Sequence, residues 1–172
     1  MQQIISFFWR MCLLRENPGN LPANRFTLGF ILTLYVVIAL IAVSLTRPDH
    51  SSANIVGIVV VGISIQALLT WGVLAFKQLT HRFTATWASL LGTNSFMLIL
   101  LVPVNLVLLN SVNETVILLA DSISWVCLGW WLAIAGRIYH KAINISLLQG
   151  SAIAFLTELL SVLMTVTLFP QG

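Results

Sequence analysis

Five apolar runs of about twenty or more residues fill this chain, at 26–45, 55–76, 88–109, 115–136 and 145–169. A helix rises about 1.5 Å per residue, and the hydrocarbon core of a bilayer is about 30 Å thick. Each run is therefore long enough to cross once. Apolar residues make up 59% of the sequence and charged residues 8%, so no soluble fold has the polar surface to cover it. A membrane β-barrel would need alternating segments of about ten residues, which are absent. The sequence predicts an all-α polytopic membrane protein: a bundle of five transmembrane helices with an N-terminal interfacial amphipathic helix. Its organisation divides into a surface helix and loop at 1–25 and a single transmembrane domain at 26–172.

The charges set the expected orientation. Arg10, Arg15 and Arg25 precede the first span, Lys77 and Arg82 separate spans two and three, and Arg137 and Lys141 separate spans four and five. All seven fall on one side if every run crosses. Arg47 alone falls on the other, beside Asp49. The positive-inside rule then puts the N-terminus in the cytoplasm and the C-terminus outside. The net charge of +3 is spread along this rim, which suits anionic lipid headgroups and not nucleic acid.

The stretch 4–14 is apolar but too short to cross, and Arg10 interrupts it. Gln3, Ser6 and Arg10 share one helical face, with Ile4, Ile5, Phe7, Phe8, Met11 and Cys12 around the rest. That pattern suits a helix lying in the cytoplasmic interface. A secretory signal would carry its charges before the apolar stretch. Pro18, Gly19 and Pro22 make the next residues a loop.

The loops between spans are too short to fold as domains, so function must lie in the spans, on their rims or with a partner. His50, His81 and His140 are expected in loops, which leaves no pair to hold a transmembrane haem. Cys12 and Cys127 are too few for a zinc cluster, and no phosphate-binding glycine motif is present. No metal, no cofactor and no catalytic residue are expected.

Polar residues within the spans carry the remaining signal. Ser151, Ala154, Glu158, Ser161 and Thr165 form one small and polar stripe on span five, of the kind that packs against other helices. Glu158 lies near mid-membrane, where an acid opposes insertion by about 2.5–3.5 kcal/mol if it behaves like the other charged residues. It must meet a polar partner, meet a water-filled cavity, or be protonated. Gly62, Gln66 and Thr70 repeat on one face of span two, and Gln66 matches the depth of Glu158. Asn105 in span three similarly matches Asp121 in span four. Gly129, Ala133 and Gly136 would let another helix approach span four closely. The bland role for the polar pairs is interhelical hydrogen bonding, worth about 0.6 kcal/mol on average. The sharper one is a proton or substrate path.

The topology of a cytoplasmic N-terminal segment followed by five closely spaced spans resembles the Yip family (Rab/Ypt-interacting proteins). The lead-in Leu14-Arg15-Glu16-Asn17-Pro18-Gly19-Asn20-Leu21-Pro22 resembles that of its small bacterial members. The resemblance implies a membrane-organising role in eukaryotic members and an integral inner-membrane protein in bacterial ones. The Asp-Leu-Tyr-Gly-Pro motif of eukaryotic members is absent, so no functional residue carries over. The expected function is non-enzymatic: an accessory or scaffolding subunit that binds lipids and other integral membrane proteins, or itself. The contrasting expectation is a small transporter or proton-conducting element built on Glu158.

Overall fold

In the computed structural model, which describes residues 8–12, 25–48 and 50–169, the spans are five helices. They are α1 (Arg25–Thr46), α2 (Ser52–Phe76), α3 (Phe83–Asn110), α4 (Glu114–Ile143) and α5 (Leu147–Leu168). All five are long and apolar enough to cross a membrane. No strand occurs among the described residues. The chain is a multi-pass membrane protein.

Local chemistry sets the helix ends. The side chains of Ser51 and Asn113 cap α2 and α4 by accepting from the backbone N–H groups of Asn54 and Thr115. Ser146 and Gln149 form a reciprocal capping box at the start of α5. Asn144 ends α4 in the left-handed region, φ 53° and ψ 50°, which asparagine tolerates better than most residues.

Two helices outrun their apolar stretches. α3 begins at Phe83 after a 3-10 turn at Thr80–Arg82, and α4 continues to Ile143. Arg137, His140 and Lys141 therefore stand on the last turns of α4, not in a loop, which corrects the expected placement of His140. Cationic side chains suit the negative end of a helix dipole. Arg82 completes that end by donating from Nη1 to the carbonyls of Ala142 at 3.0 Å and Lys141 at 3.4 Å. His140 Nδ1 also meets the Ile145 carbonyl oxygen.

The helices form a ring in the order α1, α3, α4, α5, α2, and α2 closes it against α1. The α4–α5 crossing is close-packed. Gly136 and Gly150 lie so close that a Cβ on either would strike the other helix's backbone. Ser151 donates across the crossing to the Leu132 carbonyl at 3.1 Å. Gly129 instead stands on an open face with nothing within 4 Å of a Cβ built there. The expected close approach over Gly129, Ala133 and Gly136 is therefore made at Gly136 and not at Gly129.

Of the expected surface helix, residues 8–12 are described and are helical; its other residues, and the loop that follows, lie outside the described residues. Trp9 and Arg10 are exposed, while Phe8, Met11 and Cys12 are buried against the bundle. Phe8 occupies the notch left by Gly92 on α3, where any Cβ would collide with its ring. Trp130 Nε1 donates to the Cys12 carbonyl at 2.8 Å. The described turn thus buries Phe8, Met11 and Cys12 against protein and leaves Trp9 and Arg10 exposed. Leu90, Leu91 and Gly92 of α3 are buried all round as a result.

Candidate functional site

Each helix contributes one polar or aromatic side chain near its own midpoint. These are Tyr35 on α1, Gln66 on α2, Asn94 on α3, Trp131 on α4 and Glu158 on α5, all within about three residues of the middle. Because the helices form a ring, the five side chains gather in one layer around its interior. Glu158 lines every one of three spaces that meet there.

The first space is a lobe of about 190 Å³ running from Glu158 to the end of the bundle that carries Arg47. Tyr35, Gln66, Asn94 and Ser161 surround its deep part, and Val43, Arg47, Thr165 and Val166 its outer part. Arg47 Nη1 is buried there with no hydrogen-bond partner among the described residues. The second lobe, of about 300 Å³, lies between α3 and α4. It shares Tyr35, Asn94, Leu98 and Glu158 with the first, and its remaining walls are mainly apolar, including Met97, Leu101, Leu128 and Trp131. The third space points toward the Arg82 end, where Leu90, Ala135, Tyr139, Ala154 and Thr157 leave no room for a water molecule.

The hydrogen bonding divides structural polar groups from available ones. Thr86, Ser89, Thr93 and Ser95 are buried on α3, and each returns its hydroxyl proton to a carbonyl of its own helix. Tyr139 and Thr70 share a buried hydroxyl pair at 3.0 Å. Asn94 Oδ1 accepts from Trp131 Nε1 at 2.6 Å, which fixes the indole at the wall of the second lobe. Among the described residues, no protein hydrogen bond reaches the side chains of Tyr35, Gln66 or Glu158. Glu158 does lie within electrostatic range of the Tyr35 and Tyr139 phenols.

The residues singled out from the sequence separate into three groups. Gln66 and Glu158 meet at the first lobe, and Gly62, Ser161 and Thr165 line it with them. Ser161 reaches back toward the Gly62 carbonyl at 3.5 Å. Ser151 and Ala154 serve the α4–α5 contact instead, with Ala154 1% exposed. Asn105 and Asp121, matched by depth, are not hydrogen-bonded to each other. Asn105 faces the second lobe opposite Ser124, whereas Asp121 is exposed on the outer face of α4 beside Ser122. Equal depth fails as a guide here because the two side chains point to different faces of their helices.

Tyr35, Asn94 and Trp131 belong to the site but were not among the sequence candidates. Starting the third span at residue 88 put Asn94 near an interface, and the true start at Phe83 moves it to mid-depth. No group of three or more metal-binding side chains occurs among the described residues. Comparison with protein families, with characterised proteins and with solved structures finds no match for this chain.

Proposed function

We propose that the chain is a small proton-handling membrane protein, a transporter or conducting element whose titrating group is Glu158. The observation that carries this reading is the state of Glu158. It sits at the junction of two lobes with no hydrogen bond from any described residue. An acid serving only as interhelical glue would hold a neighbouring helix through such a bond. An acid that exchanges protons needs a wet approach, and the lobe toward Arg47 provides one.

In this reading, protons reach Glu158 from the Arg47 end and stop there. The packed layer of Leu90, Ala135, Tyr139 and Ala154 closes the other half. Tyr139 of that layer shares its hydroxyl with Thr70, and this pair continues the polar track toward Arg82. Transfer onward needs that layer to loosen, or protons to pass along the hydroxyls. By the positive-inside rule the Arg82 end is cytoplasmic, and the Arg47 lobe faces the outside of a bacterial inner membrane. The reading is non-enzymatic.

The test uses purified protein in liposomes with a trapped pH dye. An imposed pH gradient with clamped voltage should dissipate faster through the wild-type chain than through Glu158→Gln, since an amide does not titrate. Equal rates from two folded proteins would overturn the proposal.

A second reading is supported by a different residue. Asp121 and Ser122 are exposed on α4 beside Trp125 (66% exposed) and Val126 (70% exposed). A carboxylate on a lipid-facing surface is unfavourable, so another integral membrane protein or a second copy would cover it. That fits the accessory or scaffolding role, and with it a Yip-like membrane-organising protein. Asp121→Leu should then release the partner in mild detergent. Unchanged assembly would sink it.

A further inference from the structure

The two lobes that meet at Glu158 differ in chemistry, and the difference names a ligand. We infer that the second lobe binds a small apolar-bodied organic cation, an aralkyl ammonium, with its charged end at Glu158. This rests on the proposed proton-handling role of Glu158 and specifies what competes with the proton.

Charge complementarity comes first. Among the described residues, Glu158 is the one ionisable carboxylate lining either lobe, and the one cationic side chain, Arg47, lies at the outer end of the other lobe. The second lobe therefore offers one negative group and no positive one. Tyr35 from α1 and Trp131 from α4 both line this lobe, and aromatic faces attract ammonium groups by about 0.5–2 kcal/mol. Asn94 holds the indole in place through its Oδ1, which keeps its own N–H donors free for the carboxylate or a ligand acceptor.

Size and shape come next. Water occupies about 30 Å³ per molecule in the liquid, so 300 Å³ accepts about ten non-hydrogen atoms of that bulk. Leu98, Leu101, Leu128 and Met97 make a wall suited to an apolar body. A zwitterion clamped between Glu158 and Arg47 fits less well. α1 places Arg47 twelve residues beyond Tyr35, which is about 18 Å of helix rise. Arg47 also repels cations from the polar lobe, so the expected approach to the second lobe is from the lipid between α3 and α4.

The test is calorimetric binding of benzyltrimethylammonium to the purified full chain in detergent. Its neutral isostere, neopentylbenzene, is the control. Saturable one-to-one binding is expected for the cation, at least tenfold tighter than for the isostere. Affinity should fall as pH falls through the titration of Glu158, by up to tenfold per pH unit, because one proton and one cation compete. Glu158→Gln should weaken the cation at least tenfold and leave the isostere unchanged. Leu101→Trp, which fills the second lobe and leaves the carboxylate, should block binding by at least tenfold even if Glu158→Gln fails to fold. Equal binding of cation and isostere would overturn the inference, as would cation binding indifferent to Leu101→Trp. If no cation binds while the liposome assay still shows Glu158-dependent proton movement, the ligand class is wrong and the proton-handling role stands. Loss of that proton movement with cation binding intact refutes the role and leaves the site.

Discussion

Two glycines on α4 that look alike in the sequence should respond to the same substitution with opposite signs. Gly129 and Gly136 are both helical, so replacing either by alanine gains up to about 1 kcal/mol of helix propensity. At Gly129 nothing opposes the gain, because no atom lies within 4 Å of the new Cβ. At Gly136 the new Cβ would lie 2.8 Å from the backbone nitrogen of Ser151 and 3.0 Å from its Cα. Backbone cannot rotate away as a side-chain tip can, so α5 must shift. Overpacking of that kind opposes folding by about 1–3 kcal/mol. The shift also stretches the Ser151 bond to the Leu132 carbonyl, about 0.6 kcal/mol more. The net for Gly136→Ala is a loss of about 1–3 kcal/mol, against a neutral or favourable change for Gly129→Ala. Titration of both variants with sodium dodecyl sulfate in mixed micelles, followed by circular dichroism, measures the difference. Changes of the same sign and size would refute the α4–α5 contact at Gly136.

Tyr139→Phe removes the hydroxyl pair with Thr70 and should destabilise by about 0.6–1 kcal/mol in the same titration, with no further loss on adding Thr70→Val. Arg82→Ala strips the donor from the Lys141 and Ala142 carbonyls, so amide exchange in the last turn of α4 should speed up about fivefold, equivalent to about 1 kcal/mol. Cys12 is buried, and burial pushes its thiol up from 9.0 to about 11. The folded chain therefore holds this proton more tightly than the unfolded one. Stability should fall as pH rises from about 9 toward 11, and Cys12→Ser should flatten that fall.

The spans were legible because hydropathy over twenty residues is a bulk property: the first four helices contain their apolar runs, and α5 falls short of the run at 145–169 by two residues at its start, where Ser146 caps it, and one at its end. The ends of α3 and α4 were not, because cationic residues that read as loop also suit a helix terminus, and Arg82 satisfies the carbonyls of a distant segment. That error hid Asn94, whose depth depends on where its helix begins. Glu158 and Gln66 were legible as mid-membrane polar groups on inward stripes. The partnership of Tyr35 and Trp131 with them was not, since it depends on the ring order of the helices, which no spacing within one helix encodes. Gly92 gave no signal of its own either, because its role is to leave room for Phe8, more than eighty residues away.

In the proposed function, water reaches Glu158 from the Arg47 end and is sealed out from the Arg82 end. Replacing Glu158 with cysteine, in a background with Cys12→Ser and Cys127→Ala, puts a thiol at the junction of the lobes. A small membrane-impermeant methanethiosulfonate is then applied to right-side-out and inside-out vesicles separately. Glu158→Cys should label from the side that exposes the Arg47 end and stay unlabelled from the other. Labelling from the Arg82 side alone, or from neither side in a folded protein, would contradict it.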